Sequence, residues 1–212
     1  TNAVRGEKIE SRKLVTNKAI VDAVMSRSPR TALDIGCGEG WLVRELAGRG
    51  VEVIGVDVVP DLIEQARRAG GGDFRIASYE EIAFGNLDVR VDVVVANFSL
   101  IGKGSVEGVL SRAPSLLNDK GALIIQTLHP VAACGEMPYV DGWREGSWAG
   151  IGEDFSDPAP WYFRTVESWI ELLTKSGFNA PHILEPINPN TSKPASMIFI
   201  AKPERQTRAR QD

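Results

Sequence analysis

Cysteine is nearly absent from this chain: Cys37 and Cys134 are the only two in 212 residues. Two cysteines cannot build a disulfide framework, and a reducing cytoplasm is the expected setting. A basic excess is lacking too. Lys and Arg number 24 against 28 acidic residues, for a net charge of −4, and they are dispersed along most of the chain. That balance is not the footprint of a protein that grips nucleic acid or anionic membrane. No apolar run exceeds strand length, and no charged-then-apolar leader is present, so neither a membrane span nor secretion is expected. No metal site is expected either. The length suits one α/β domain with a sizeable core, and we take 1–202 as that domain and 203–212 as a polar tail.

What the chain does have is a glycine turn, Thr31 to Gly40, reading Thr-Ala-Leu-Asp-Ile-Gly-Cys-Gly-Glu-Gly. Ala32, Leu33 and Ile35 read as a short buried strand. Gly36, Gly38 and Gly40 then turn the backbone sharply into a helix beginning near Trp41. Glycine permits both positive φ and close approach of backbone to a ligand, which points to a nucleotide-like cofactor. Spacing separates two cofactor classes. The dinucleotide fingerprint is G-x-G-x-x-G; here the third glycine comes one residue early, and Trp41 stands where the fingerprint has glycine. Asp34 would also repel a pyrophosphate, whereas it suits a cation. The next apolar run, Val51 to Val56, ends in Asp57, whose carboxylate can accept both hydroxyls of a ribose.

The stretch Leu33 to Gly40 resembles the first motif of the class I S-adenosylmethionine-dependent methyltransferases, small-molecule type, and the similarity extends from about Ile9 to Lys202. It implies a Rossmann-like, doubly wound, mostly parallel seven-stranded sheet with an antiparallel C-terminal strand. It implies S-adenosylmethionine as cofactor, with Gly36, Cys37, Gly38 and Gly40 giving close backbone approach and Asp34 adding charge beside the amino-acid part. On the same resemblance Asp57 and Val58 hold the ribose side, and Ser78 and Tyr79 the adenine, although related enzymes commonly carry an acidic residue where Ser78 stands. Asn97 and Phe98, leaving the strand Val91 to Asn97, look like the fourth motif of the family. The prolines that follow this Asn in nucleic-base methyltransferases are missing. Tyr162-Phe163-Arg164-Thr165 before a helix is similar to enzymes of the ubiquinone-biosynthesis type.

Around this frame the pattern predicts a helix from Ile9 to Met25 within an N-terminal packing or lid segment, 1–29. A helix over Val106 to Leu117, interrupted by Pro114, leads to a turn at Asn118 to Gly121 and a strand over Ala122 to Leu128. His129 closes that strand at the ligand-binding edge, and its neutral imidazole is the best placed group to take a proton from an attacking oxygen or nitrogen. The irregular segment 131–164 reads as a substrate-covering insertion. Seven aromatic residues fall between Tyr139 and Phe163, and of these Tyr139, Trp143, Trp148 and Tyr162 are the candidate substrate contacts, suited to a flat, apolar or cationic acceptor. Thr165 caps a further helix, and His182 to Glu185 and Ser196 to Ala201 read as closing strands.

The activity implied is transfer of a methyl group to a small-molecule acceptor by in-line displacement, in a monomer or homodimer with neither nucleic acid nor membrane as partner. Two other classes fit parts of the pattern: a protein that binds S-adenosylmethionine without turnover, and a NAD-dependent oxidoreductase.

Overall fold

Apolar runs alternating with amphipathic helices fold here as a sheet covered on both faces, because a strand apolar throughout must be buried from both sides. The computed structural model describes residues 15–146 and 160–204. In chain order its elements are α1 (Asn17–Met25), β1 (Thr31–Ile35), α2 (Trp41–Ala47), β2 (Glu52–Asp57), α3 (Pro60–Ala69), β3 (Asp73–Ile76), α4 (Tyr79–Phe84), β4 (Val91–Asn97), α5 (Gly104–Arg112), a 3-10 turn (Ala113–Leu116), β5 (Leu117–Thr127), α6 (Pro130–Cys134), β6 (Gly142–Arg144), β7 (Trp161–Phe163), α7 (Val166–Lys175), β8 (His182–Leu184), β9 (Ile187–Asn188), β10 (Lys193–Pro194) and β11 (Met197–Ala201).

The main sheet has seven strands in the order β3-β2-β1-β4-β5-β11-β8. Strands β1 to β5 pair in parallel, and β11 alone runs against its neighbours β5 and β8. Alternate residues serve opposite layers. Ala32, Val93, Val95, Ile124 and Ile198 pack with α1, α2 and α3, while Leu33, Val94, Ala96, Ile125 and Phe199 pack with α4, α5 and α7. The strand order reverses between β1 and β4, and the carboxyl ends of strands at such a reversal are where open α/β sheets bind ligands.

Several boundaries differ from the sequence pattern for visible reasons. The described part of the first helix is α1; Ile9 and Leu14 lie outside the described residues. The expected turn at Asn118 to Gly121 is instead an irregularity inside β5. Val91 pairs Leu117 and Val93 pairs Ala122, so the intervening residues bulge out. Asp92 pins that bulge: its Oδ1 accepts from Asn118 Nδ2 at 2.8 Å, and its Oδ2 accepts the N–H groups of Arg30 and Thr31. These bonds hold the Asp92 carboxyl below the usual range. Pro114 ends α5 early and falls in the first part of the 3-10 turn. Unexpected from sequence were α6, directly after His129, and the short β6-β7 hairpin within the segment read as irregular.

Arg164 ties that hairpin to the connection between β4 and α5. Only 3% exposed, it donates to the carbonyls of Gly102 at 2.8 Å and Lys103 at 3.1 Å, and its guanidinium stacks 4.7 Å from the Tyr162 centroid and 5.2 Å from that of Trp169. Burial pushes its pKa down, opposed by Glu107. Arg164→Met removes both hydrogen bonds and the charge while keeping the stem's volume, and should cost about 2–3 kcal/mol. Thermal unfolding should show this as a midpoint lowered by roughly 5–10 °C.

Candidate active site

The glycine turn is built by backbone bonds from two strands. Gly36 N and Cys37 N both donate to Val56 O, at 2.8 and 2.9 Å, and Gly40 N closes the turn on Cys37 O. All three glycines have positive φ, at 75°, 57° and 81°, the region that side chains disfavour. Their surroundings differ. A Cβ on Gly36 would lie 2.3 Å from Ser99 Cβ, and one on Gly40 would lie 2.5 Å from the Phe74 ring, whereas one on Gly38 would meet nothing within 4 Å. Two glycines are therefore packing requirements of the fold, and the middle one faces open space. Trp41, first in α2, is half-buried against the α1–α2 layer.

Asp57 links the turn to β2. Its Oδ2 accepts from Gly38 N and its Oδ1 from Val59 N, each at 2.9 Å. One donor per oxygen leaves further lone pairs for a ligand. Val58 beside it is 59% exposed. Cys37 is turned inward and belongs to the core on the α1–α2 side, so its side chain does not line the open face. Burial, then the neighbouring Asp34 and Asp57, pushes its thiol pKa up, and the group is inert rather than reactive.

Asp34 is 2% exposed, and its Oδ1 has no hydrogen-bond partner among the described residues. Burial, reinforced by Asp57, raises its pKa to about 7. Register places it with Asn97 and Gln126 on one face of the sheet: Asp34 pairs Val95, and Asn97 pairs Gln126. Asn97 Oδ1 and Gln126 Oε1 are likewise buried without a partner. Buried acceptors left without donors are rare and costly, and here three stand at the carboxyl ends of β1, β4 and β5. Asn97 was anticipated. Gln126 was not, although a lone polar residue ending the run Ala122 to Ile125 is a visible signal. Phe98 adds strain, with φ 54° and its N–H donating to Gln126 O at 2.8 Å; left-handed backbone at a bulky residue clusters at functional loops.

Ser78 and Tyr79 begin α4. Ser78 forms a capping box with Glu81. Tyr79 packs against the core, donates to Ser99 O at 2.8 Å, and has its pKa raised to about 12, first by burial. Ser99, missed in the sequence, is the keystone here, since its Oγ also donates to Ile35 O at 2.6 Å.

His129 is 7% exposed at the end of β5, with Nε2 2.8 Å from Glu185 Oε1. The candidate substrate aromatics are partly committed to the fold. Tyr139 Oη accepts from Val166 N at 2.9 Å, and its ring packs edge-on to Phe163. Tyr162 already carries Arg164 and Lys103 against its ring, so the cations drawn to these rings are the chain's own. Trp143 packs edge-on to Tyr162 and is 58% exposed. Trp148 lies outside the described residues.

The chain is similar to known proteins in sequence and in fold. It is 24% identical over 174 residues to an uncharacterized methyltransferase of Schizosaccharomyces pombe, covering 78% of this chain and 65% of that one. It is 35% identical over 102 residues to the ubiquinone biosynthesis O-methyltransferase of Azorhizobium caulinodans, covering 46% of this chain and 40% of the other. It thus spans between 40% and 65% of these two relatives' lengths. Among solved structures, the Burkholderia thailandensis 1,6-didemethyltoxoflavin-N1-methyltransferase superposes with a TM-score of 0.63 at 20% identity, over 88% of this chain and 76% of that one, a likeness of fold. The model of the methyltransferase domain family matches residues 12–183, and with the glycine turn, Asp57 and the strand order in place, the chain belongs to that family.

Proposed function

We propose that the chain is an S-adenosylmethionine-dependent methyltransferase acting on a small-molecule acceptor. The observation that carries this is Asp34 Oδ1, buried and without a donor among the described residues, at the foot of a turn whose central glycine faces open space. A sulfonium cofactor fits such a site, for it brings an ammonium donor and positive charge and has no phosphate. Asp34 and Asn97 would take the donors of its amino-acid part, the turn's backbone would lie along it, and Asp57 with Val58 would hold the ribose side. Ser78 and Tyr79 border the adenine end, and Phe98 follows Asn97 at the reacting centre. When bound, the cofactor would supply an electrophilic methyl group to the acceptor.

The chain's own work is then alignment and exclusion of water. His129 accepts the acceptor's proton, and Tyr139, Trp143 and Tyr162 flank the acceptor from the segment 131–164; Trp148 of that segment, and residues 1–14 of the covering segment 1–29, lie outside the described residues. We take 1–202 as one domain, working in the cytoplasm as a monomer or homodimer without nucleic acid. Both cysteines are buried and free, and no helix among the described residues is long and apolar enough to cross a membrane.

Calorimetric titration with S-adenosylhomocysteine and, separately, NADH tests the reading. Micromolar binding of the former is expected, weakened at least about tenfold by Asp57→Ala. A folded chain that binds NADH and ignores S-adenosylhomocysteine would overturn it.

A further inference from the structure

We infer that Glu185 is a positioning residue for His129, fixing the imidazole tautomer that leaves Nδ1 as the proton acceptor. The inference rests on the methyltransferase reading above. Strands β5 and β8 run the same way with β11 between them, so both carboxyl ends reach the ligand-binding edge. His129 stands two residues beyond Thr127 and Glu185 one beyond Leu184. Their side chains meet, Nε2 to Oε1 at 2.8 Å. Sequence spacing could not suggest the pair, since 56 residues separate them. The chain's other histidine, His182, lies at the far end of β8.

The pair is asymmetric. The imidazole is 8% exposed and the carboxylate 53%, so one partner is held and the other reaches in from solvent. His129 is also fixed by its backbone: it caps α6, its carbonyl accepts from Ala133 N at 2.8 Å, and Pro130 follows it. An ionised carboxylate has no proton to give, so Nε2 must donate. A neutral imidazole has one N–H, and the lone pair therefore stands on Nδ1. Among the described residues Nδ1 has no hydrogen-bond partner. In the transfer, the proton of the acceptor's O–H or N–H passes to Nδ1, and the bonding electrons stay on the acceptor atom. The resulting imidazolium rests against the Glu185 carboxylate until the proton leaves to water.

The test is nitrogen NMR of histidine-labelled protein, for which His182→Gln makes the assignment unambiguous. In the wild type the Nε2 proton should be slowly exchanging and Nδ1 should resonate as an unprotonated nitrogen. In Glu185→Ala the Nε2 proton should exchange about tenfold faster or more, as befits a lost bond to a charged group, and the two nitrogen resonances should move toward each other. A strap that merely joins β8 to β5 would hold the same tautomer but would stand apart from the ligand. The Nδ1 resonance should therefore also move when S-adenosylhomocysteine is added, and its failure to move in protein that binds the ligand overturns the assignment. Wild-type protein that binds S-adenosylhomocysteine yet carries the proton on Nδ1, or tautomers unchanged by Glu185→Ala, overturns the assignment and leaves the methyltransferase reading intact. Failure of the wild type to bind S-adenosylhomocysteine removes the reading and the assignment together.

Discussion

Asp34→Asn should make the free protein more stable at pH 8 and weaken its hold on the cofactor. The folded state raises the Asp34 pKa from 3.8 to about 7, so between those values the folded chain binds more protons than the unfolded one. Stability from this group is therefore greatest at low pH and declines as pH rises through the window. Above about 7 it is lower by up to about 4 kcal/mol, since each tenfold change in a proton-binding equilibrium is worth about 1.4 kcal/mol. Asparagine is uncharged and nearly isosteric, so urea unfolding should show the variant about 2–4 kcal/mol more stable at pH 8 and close to wild type at pH 4. Binding responds in the opposite sense. The cofactor's ammonium favours the carboxylate, so wild-type affinity should climb from pH 6 to 8 and then level. The variant should bind about 10- to 100-fold more weakly at pH 8, as expected for a lost hydrogen bond between charged groups. An unchanged stability together with an unchanged affinity would mean that Asp34 is neither strained by burial nor placed for the cofactor.

The parts of the site that were legible in the sequence are those that backbone geometry dictates locally. Three glycines with a carboxylate two residues before the first, and a second carboxylate ending the next strand, are spaced by the turn itself, and Asp34, Gly38 and Asp57 stand together in the fold as that spacing implies. The sheet's parallel character was legible for a similar reason, since Val93 to Ala96 is apolar and buried on both faces. What was not legible depends on partners far along the chain. Ser99 matters because Gly36 and Tyr79 converge on it. Arg164 matters because its donors find the carbonyls of Gly102 and Lys103, some sixty residues earlier. The aromatic cluster was legible only as a cluster, because ring spacing does not tell which cations its rings hold, and Arg144, Arg164 and Lys103 lie over Phe163 and Tyr162.

Two neighbouring alanine substitutions should separate folding from binding. In Gly36→Ala the new methyl would stand 2.3 Å from Ser99 Cβ and 2.9 Å from its Oγ. Ser99 cannot move aside, because its hydroxyl donates to Ile35 O and its carbonyl accepts from Tyr79. With φ at 75° adding strain, the loss should be about 3 kcal/mol or more, enough to lower the urea midpoint sharply or prevent folding. In Gly38→Ala the methyl meets nothing within 4 Å, and φ of 57° lies in the left-handed region that alanine can enter. Destabilisation should stay near 1–2 kcal/mol. The same methyl, however, occupies the open face of the turn, where a cofactor must approach the backbone closely. Affinity for S-adenosylhomocysteine should fall about 100-fold or more, since overlap with a closely packed ligand costs at least about 3 kcal/mol. A Gly38→Ala chain that folds and binds S-adenosylhomocysteine like wild type would place the cofactor elsewhere on the sheet edge. A chain that folds and no longer binds would show that the first glycine serves the protein and the second serves the ligand.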